Sequence, residues 1–420
     1  MTERLRLASQ VTFRSFASHN FRLFFGGQLV SQVGTWMQLV TVAWLVLELT
    51  GSGVAIGLVT GAQFFPLLVL GAWAGVLADR LDRHHLMIAT QAAFLLVAAA
   101  LAALTLTDHI TVAGLFVLSL VFGVINAVDN PSRRALVVEL VPEDDVANAV
   151  GLNSALMTGS RVIGPAVAGV LIAGPGAGIC FLVNAVTYVP VIAALLRLDR
   201  SQFRPMPRVA KAKGQLRAGL RYLWETPELR LPIILMAVVG TLVFNYQVTL
   251  PLLAERTFGG SASTFTLLFS TLSLGSVAGA LTVARRSSVD LGFLVRAGIG
   301  LAVTTLALAL APTLPLALLA SLAVGFCNLL MISGSTTVVQ LRSAPAMRGR
   351  MLALLSVVFL GSKPIGGPIV GSVAELAGVR SALALGGVAM LLALAWTVHQ
   401  MRTRPGAEAG AAAKVEPAAA

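Results

Sequence analysis

Gly159-Ser160-Arg161-Val162-Ile163-Gly164-Pro165, closing at Gly169, returns as Gly361-Ser362-Lys363-Pro364-Ile365-Gly366-Gly367-Pro368, closing at Gly371. The register is a constant 202 residues, and it also pairs Leu152 with Leu354, Ser154 with Ser356 and Asn126 with Asn328. A second echo, at an offset of 204, sets Leu70-Gly71-Ala72-Trp73-Ala74-Gly75 against Leu274-Gly275-Ser276-Val277-Ala278-Gly279. Two related halves, each apolar and studded with glycine, read as a duplicated membrane bundle.

Composition leads to the same place independently. Apolar residues make up 57% of the chain and charged residues 11%, with a mean hydropathy of +0.86. A soluble domain carries roughly 25% charged residues, so this chain could not cover a water-facing surface. Cys180 and Cys327 both lie inside apolar runs, which argues against a disulfide framework.

Stretches of about 20 apolar residues are long enough to cross a bilayer as helices. Twelve are expected. In the first half they run near Phe21–Leu47, Val54–Ala78, Leu86–Leu106, Thr111–Asn130, Ala147–Ile172 and Gly178–Leu196. The second half gives Leu231–Leu253, Thr264–Ala284, Leu291–Ala311, Leu314–Gly334, Leu352–Ala374 and Ala382–His399. The expected fold class is all-α integral membrane, with two pseudo-symmetric six-helix bundles at 21–197 and 231–400.

Basic residues set the orientation, because Lys and Arg concentrate on the cytoplasmic side. An inside N-terminus places Arg4, Arg6, Arg14, Arg22, Arg80, Arg83, Arg133, Arg134, Arg285, Arg286, Arg342, Arg348, Arg350 and Arg402 in the cytoplasm, leaving Arg256 and Arg380 outside. Both termini are then cytoplasmic, in an inner membrane. The net charge of +12 becomes positive-inside topology and not a nucleic-acid footprint. No cleavable signal peptide is expected, since the first apolar run is too long and lacks a small-residue cleavage site.

Residues 1–20 form a cytoplasmic N-terminal segment, 198–230 a basic cytoplasmic linker and 401–420 a disordered tail of Ala, Gly and Glu. Within the linker, Leu216, Leu220, Leu223 and Trp224 share a helical face, the pattern of a basic amphipathic helix on an anionic leaflet.

Several motifs carry a resemblance. Gly75-Val76-Leu77-Ala78-Asp79-Arg80-Leu81-Asp82-Arg83 resembles the signature loop between helices 2 and 3 of the major facilitator superfamily, with Asp82 where that pattern usually has Gly. The resemblance implies a cytoplasmic gating loop made by Gly75, Asp79, Arg80 and Arg83, which latches the outward-facing state. Val283 stands at the equivalent of Asp79 in the second half, so that copy of the latch has decayed. Gly151, Ser160, Gly164, Pro165 and Gly169 fall on the Gly-Pro-containing helix 5 motif of antiporters in the superfamily, which implies export. Ser31–Gln38, Asn130–Ala135 and Gly219–Leu223 resemble the branch containing enterobactin exporters and macrolide efflux proteins. Many drug antiporters carry an Arg in mid-helix 4, where this chain has Ser119.

Charges at membrane depth are costly and are functional candidates by default. Arg161 and Lys363 occupy symmetric positions and are expected to flank a central path. Asp129, the acid within the helix 4 run, is the leading proton-coupling candidate, with Arg133 or Arg161 as its partner. Gln28, Gln32, Trp36, Asn126 and Asn328 are cavity candidates, with Phe64, Phe65, Phe244, Tyr246 and Phe359 as apolar walls.

An enzyme is disfavoured: the five His are scattered, His84-His85 lacks metal-ligand neighbours, and no phosphate-binding Gly-rich loop occurs. Neither a metal nor a cofactor is expected. The reading that results is a monomeric secondary transporter, exporting a small lipophilic compound such as a drug or siderophore in exchange for protons. A lipid or lysolipid flippase on the same fold is the alternative.

Overall fold

The structure is a computed structural model that describes residues 12–204, 215–286 and 289–403. It contains twelve helices long and apolar enough to cross a membrane. The first six are α1 (His19–Thr50), α2 (Gly53–Arg80), α3 (Arg83–Leu106), α4 (Val112–Glu139), α5 (Val146–Ala173) and α6 (Ala177–Leu196). The second six are α7 (Glu228–Thr257), α8 (Ala262–Ala284), α9 (Leu291–Leu310), α10 (Leu314–Arg342), α11 (Met347–Leu376) and α12 (Val379–His399). A helix between the halves spans Gln215–Glu225.

Local chemistry sets many of the boundaries. Ser18, Ser52, Asp82, Thr111 and Asp290 each accept a hydrogen bond from a backbone N–H in the first turn that follows them. Gly51, at φ 61°, stops α1 in the left-handed conformation that glycine tolerates. Helix formation outruns hydropathy in two places. α4 continues from Asn130 to Glu139 and α10 from Gly334 to Arg342, because a helix needs no apolar surface once it leaves the bilayer.

Two helices are discontinuous. α7 passes through π-helical turns at Val239–Val243 and Leu253–Thr257, with non-helical backbone at Phe244 and Asn245. α11 is broken at Gly361 and Ser362, between a segment that ends at Leu360 and a second, Lys363–Leu376. Pro364 lacks the N–H that would continue the first segment's ladder.

The halves meet through α2 against α11 and α5 against α8, as the internal twofold requires. The contact is backbone to backbone at the end of the bundle that holds the short turns, hereafter the short-turn end. A Cβ on Gly57 would stand 2.3 Å from the Gly367 carbonyl oxygen, and one on Gly371 2.3 Å from that of Gly53. On α5, a Cβ at Gly169 would stand 2.1 Å from Thr266 Oγ1. Glu375 accepts from Ser52 Oγ and from the Val54 N–H at 3.3 Å. Arg256 donates to the Gly51 carbonyl and, at 3.5 Å, to that of Ala374. Among the described residues, every hydrogen bond between the halves lies at this end.

The linker helix departs from the expected pattern. Leu223 is buried against Leu229, Ile233, Met351 and Leu354, whereas Leu220 and Trp224 are exposed. The apolar face is therefore split, with Leu223 given to protein and the others left outward. The side chain of Leu216, the tail from 404 onward and residues 1–11 lie outside the described part.

A cysteine pair at Ser52 and Glu375, after replacement of Cys180 and Cys327, is expected to be bridged in membranes by a short bis-methanethiosulfonate, which forms a disulfide at each thiol and releases two sulfinates. Gly57→Leu should cut that yield several-fold by forcing α2 from α11, read as the cross-linked fraction on a gel. An unchanged yield would show that the backbones can separate without opening this end.

Candidate functional site

Below the glycine contact, on the side toward the linker, a small cavity of about 20 Å³ lies between the halves. The first half contributes Trp36 of α1 and Arg161 of α5. From the second half come Phe244, Tyr246 and Gln247 at the break in α7, Phe269, Leu272 and Ser276 of α8, and Lys363 at the break in α11. Both interrupted helices thus face it, and π-turns in α-helices often mark functional positions. Toward the short-turn end the cavity is roofed by aromatic pairs joining α1 to α8: Trp36 with Phe269 (centroids 6.3 Å apart) and Trp44 with Phe265 (6.2 Å).

Two cations share this space. The Arg161 guanidinium lies 4.7 Å from the Trp36 ring centroid and 5.9 Å from that of Phe244. Lys363 Nζ lies 4.2 Å from the Phe64 centroid and 4.4 Å from that of Phe244. One ring, Phe244, therefore stands between both charges. Such contacts are worth about 2 kcal/mol when desolvated, against several kcal/mol for burying an ion. Arg161 Nε and the Tyr246 hydroxyl are buried without a hydrogen-bond partner.

Asp129 sits elsewhere, inside the first half. It is buried, and its Oδ1 accepts from Thr90 Oγ1 at 3.0 Å and Gln91 Nε2 at 2.7 Å. Of the two candidate partners, Arg133 takes the role, with its Nε 3.6 Å from Oδ2. Gln28 and Gln32 are buried one above the other on α1, joined by a 3.3 Å hydrogen bond. Asn328 is buried with its Oδ1 unpaired, and Asn126 is half-buried. Gln28, Gln32, Asn126 and Asn328 do not line the cavity, whereas Trp36 does.

The helix 5 motif divides by position. A Cβ on Gly164 would stand 2.5 Å from Trp36 Cβ, so this glycine seats α5 on α1 as Gly169 seats it on α8. Pro165 and Ser160 are buried. Gly151 is exposed, with open space around it, so close packing does not account for it here.

At the α2–α3 loop, Gly75, Asp79 and Arg80 belong to α2, and the side chains of Asp79 and Arg80 lie outside the described part. Arg83 pairs with Glu139 at the end of α4. Asp82 caps α3 through the His84 and His85 amides at 2.9 and 3.1 Å, and pairs with Arg200 beyond α6. Partial burial pushes its carboxyl up, but the His85 amide, Arg200, the His85 ring and the His84 amide outweigh this and hold its pKa below the usual value. A carboxylate here does work that glycine could not.

Phe269, Leu272 and Ser276 were not legible as cavity residues. Their spacing of i, i+3 and i+7 is that of any buried helix face, and the duplication offset marks only Ser276, as one position of the repeated Leu274–Gly279 stretch.

The family model for transmembrane secretion effectors, a group within the major facilitator superfamily, matches residues 10–418. The chain belongs to this family. It is therefore a multi-pass membrane protein of a transporter family. It is 28% identical over 264 residues to the staphyloferrin A transporter of Staphylococcus aureus, covering 62% of this chain and 66% of the relative. It is 27% identical to macrolide efflux protein A of Streptococcus pyogenes over 42% of each. The chain thus aligns with somewhat less than two thirds of the first relative and under half of the second. Its fold matches a bacterial homologue of the human lysosomal transporter Spinster, solved inward-facing and unoccupied, with a TM-score of 0.69 at 15% identity, covering 91% of this chain and 94% of that one.

Because its folded pKa lies below its unfolded one, Asp82 stabilises fully above the unfolded value of about 4 and loses that contribution as pH falls through the folded value. Asp82→Ala is expected to cost about 1 kcal/mol at neutral pH, through the lost cap. In detergent, its thermal midpoint should lie below the parent's at pH 7, with the gap closing on acidification below about pH 4. A pH-independent gap would assign the effect to packing.

Proposed function

We propose that the chain exports a small, largely apolar compound from the cell by alternating access, in exchange for protons, with the linker end in the cytoplasm and both termini there. The observation that carries this reading is a cavity built by both halves and closed by backbone contact at the short-turn end. With the linker end inside, the sealed short-turn end would be the outer one. Arg14, Arg83, Arg133, Arg134, Arg200, Arg285 and Arg342 flank the helices at that end, against Arg256 and Arg380 at the other. The relatives named for efflux and for a siderophore support export of a small molecule.

In this mechanism the two bundles, 21–197 and 231–400, rock about the cavity as a monomer. Gly75, Asp79, Arg80 and Arg83 form the cytoplasmic gate, and the Arg83–Glu139 pair ties that gate to α4. Gly151, Ser160, Gly164, Pro165 and Gly169 let α5 move against α1 and α8. Gln28 and Gln32 lie two turns and one turn from Trp36 toward the linker end of α1, on the entry route, with Asn126 and Asn328 as the matched pair on α4 and α10. Asp129 carries the proton: protonation would free it from Arg133 and loosen α3 from α4.

The test is dye accumulation in efflux-deficient bacteria expressing the chain. Accumulation is expected to fall several-fold, to recover with an uncoupler, and to recover in Asp79→Ala. Asp129→Asn should abolish the uncoupler-sensitive part. Proton-driven export that survives in Asp129→Asn would remove this residue from coupling, and uncoupler-insensitive export would remove protons.

A further inference from the structure

The cavity between the halves is charged in one sense only. Arg161 and Lys363 face it, and none of its lining side chains is acidic. The buried carboxylate of Asp129 is already engaged by Thr90, Gln91 and Arg133. Lys363 is 6% exposed, and among the described residues it makes no ion pair or hydrogen bond. Its Nζ lies over the faces of Phe64 and Phe244. Arg161 rests on Trp36 and Phe244 with its Nε unpaired, and the Tyr246 hydroxyl is a further buried donor without a partner.

Buried ions in proteins are normally matched by counter-charge. Here two like charges share one aromatic ring and repel each other, in a space lined otherwise by Trp36, Phe269 and Leu272. The missing element is an acceptor with negative charge. A planar guanidinium binds carboxylate, sulfonate or phosphate through two parallel hydrogen bonds, while an ammonium supplies a compact point charge. The aromatic walls would cover an apolar or ring-bearing remainder.

We propose that the substrate is an amphipathic anion whose oxyanion group is clamped between Arg161 and Lys363, with Tyr246 as an additional donor. This rests on the transporter reading above and narrows its substrate class. A neutral or cationic compound would leave the pair unmatched, and a cation would add a third positive charge to the same space.

The test uses the full chain in lipid nanodiscs and calorimetric titration with 2-naphthoate, 2-naphthamide and 2-naphthamidinium, which share a ring system and differ in charge. The anion is expected to bind at least tenfold more tightly than the cation, with the amide between. Lys363→Gln and Arg161→Gln should each shrink that ratio several-fold, and Lys363→Arg should retain it, with thermal midpoints confirming that every variant is folded. Equal binding of all three, absence of naphthoate binding, or a ratio untouched by both glutamine variants would overturn the proposal. Lysophosphatidylglycerol and lysophosphatidylcholine form a second arm: tight binding of the first alone, displaced by naphthoate, would place the anion on a lipid. Failure of the dye assay with an intact charge preference would count against the export reading and leave the site standing. The reverse pattern would remove the anion and leave the exporter.

Discussion

Close approach of two glycine-lined backbones, α2 and α11, is the contact on which the rest of the arrangement depends. Between helices in lipid there is little hydrophobic drive, so association rests on van der Waals packing and the hydrogen bonds that packing permits. Gly53, Gly57 and Gly61 on α2 meet Gly371, Gly367 and Pro364 on α11, each set spaced at about one turn. The segment that makes this contact begins at Lys363, so the seal at one end and the placement of a cavity charge are one construction. A side chain at Gly57 would disturb both.

The two copies of the repeat have diverged at the point where the chemistry lies. Arg161 is carried on the continuous helix α5, whereas Lys363 starts a new segment. Pro364 stands where the first copy has Val162, and it is this exchange that interrupts α11. Symmetric ancestry has brought two cations to the junction, and asymmetric backbones present them from different directions around Phe244.

Much of this was readable from residues alone. Twelve spans, the pairing of Arg161 with Lys363 in position and the place of Trp36 follow from hydropathy and the internal repeat. The parts that did not follow share a cause: they depend on partners distant in sequence. The break at Phe244 and Asn245 holds no proline or glycine itself, and Gly240 in the turn before it is one glycine among many in this chain. Leu223 shares the apolar face that predicts lipid contact, but it packs in a cluster with Met351 and Leu354, residues far along the chain. Asp82 departs from the motif that contains it because Arg200, more than a hundred residues later, supplies its counter-charge. Gln28 and Gln32 form a polar stripe on α1 whose one mutual hydrogen bond leaves Gln28 Nε2 without a partner, a detail that only side-chain geometry supplies.

Arg161 and Lys363 have an electrical consequence beyond recognition. A charge displaced through the whole of a membrane voltage exchanges about 2.3 kcal/mol per 100 mV with the field. Any rocking that moves the cavity through part of that drop is therefore voltage-sensitive in proportion to the charge it carries. Arg161 and Lys363 at the cavity would contribute to that sensitivity, and the charge of a bound substrate would add to theirs or offset it.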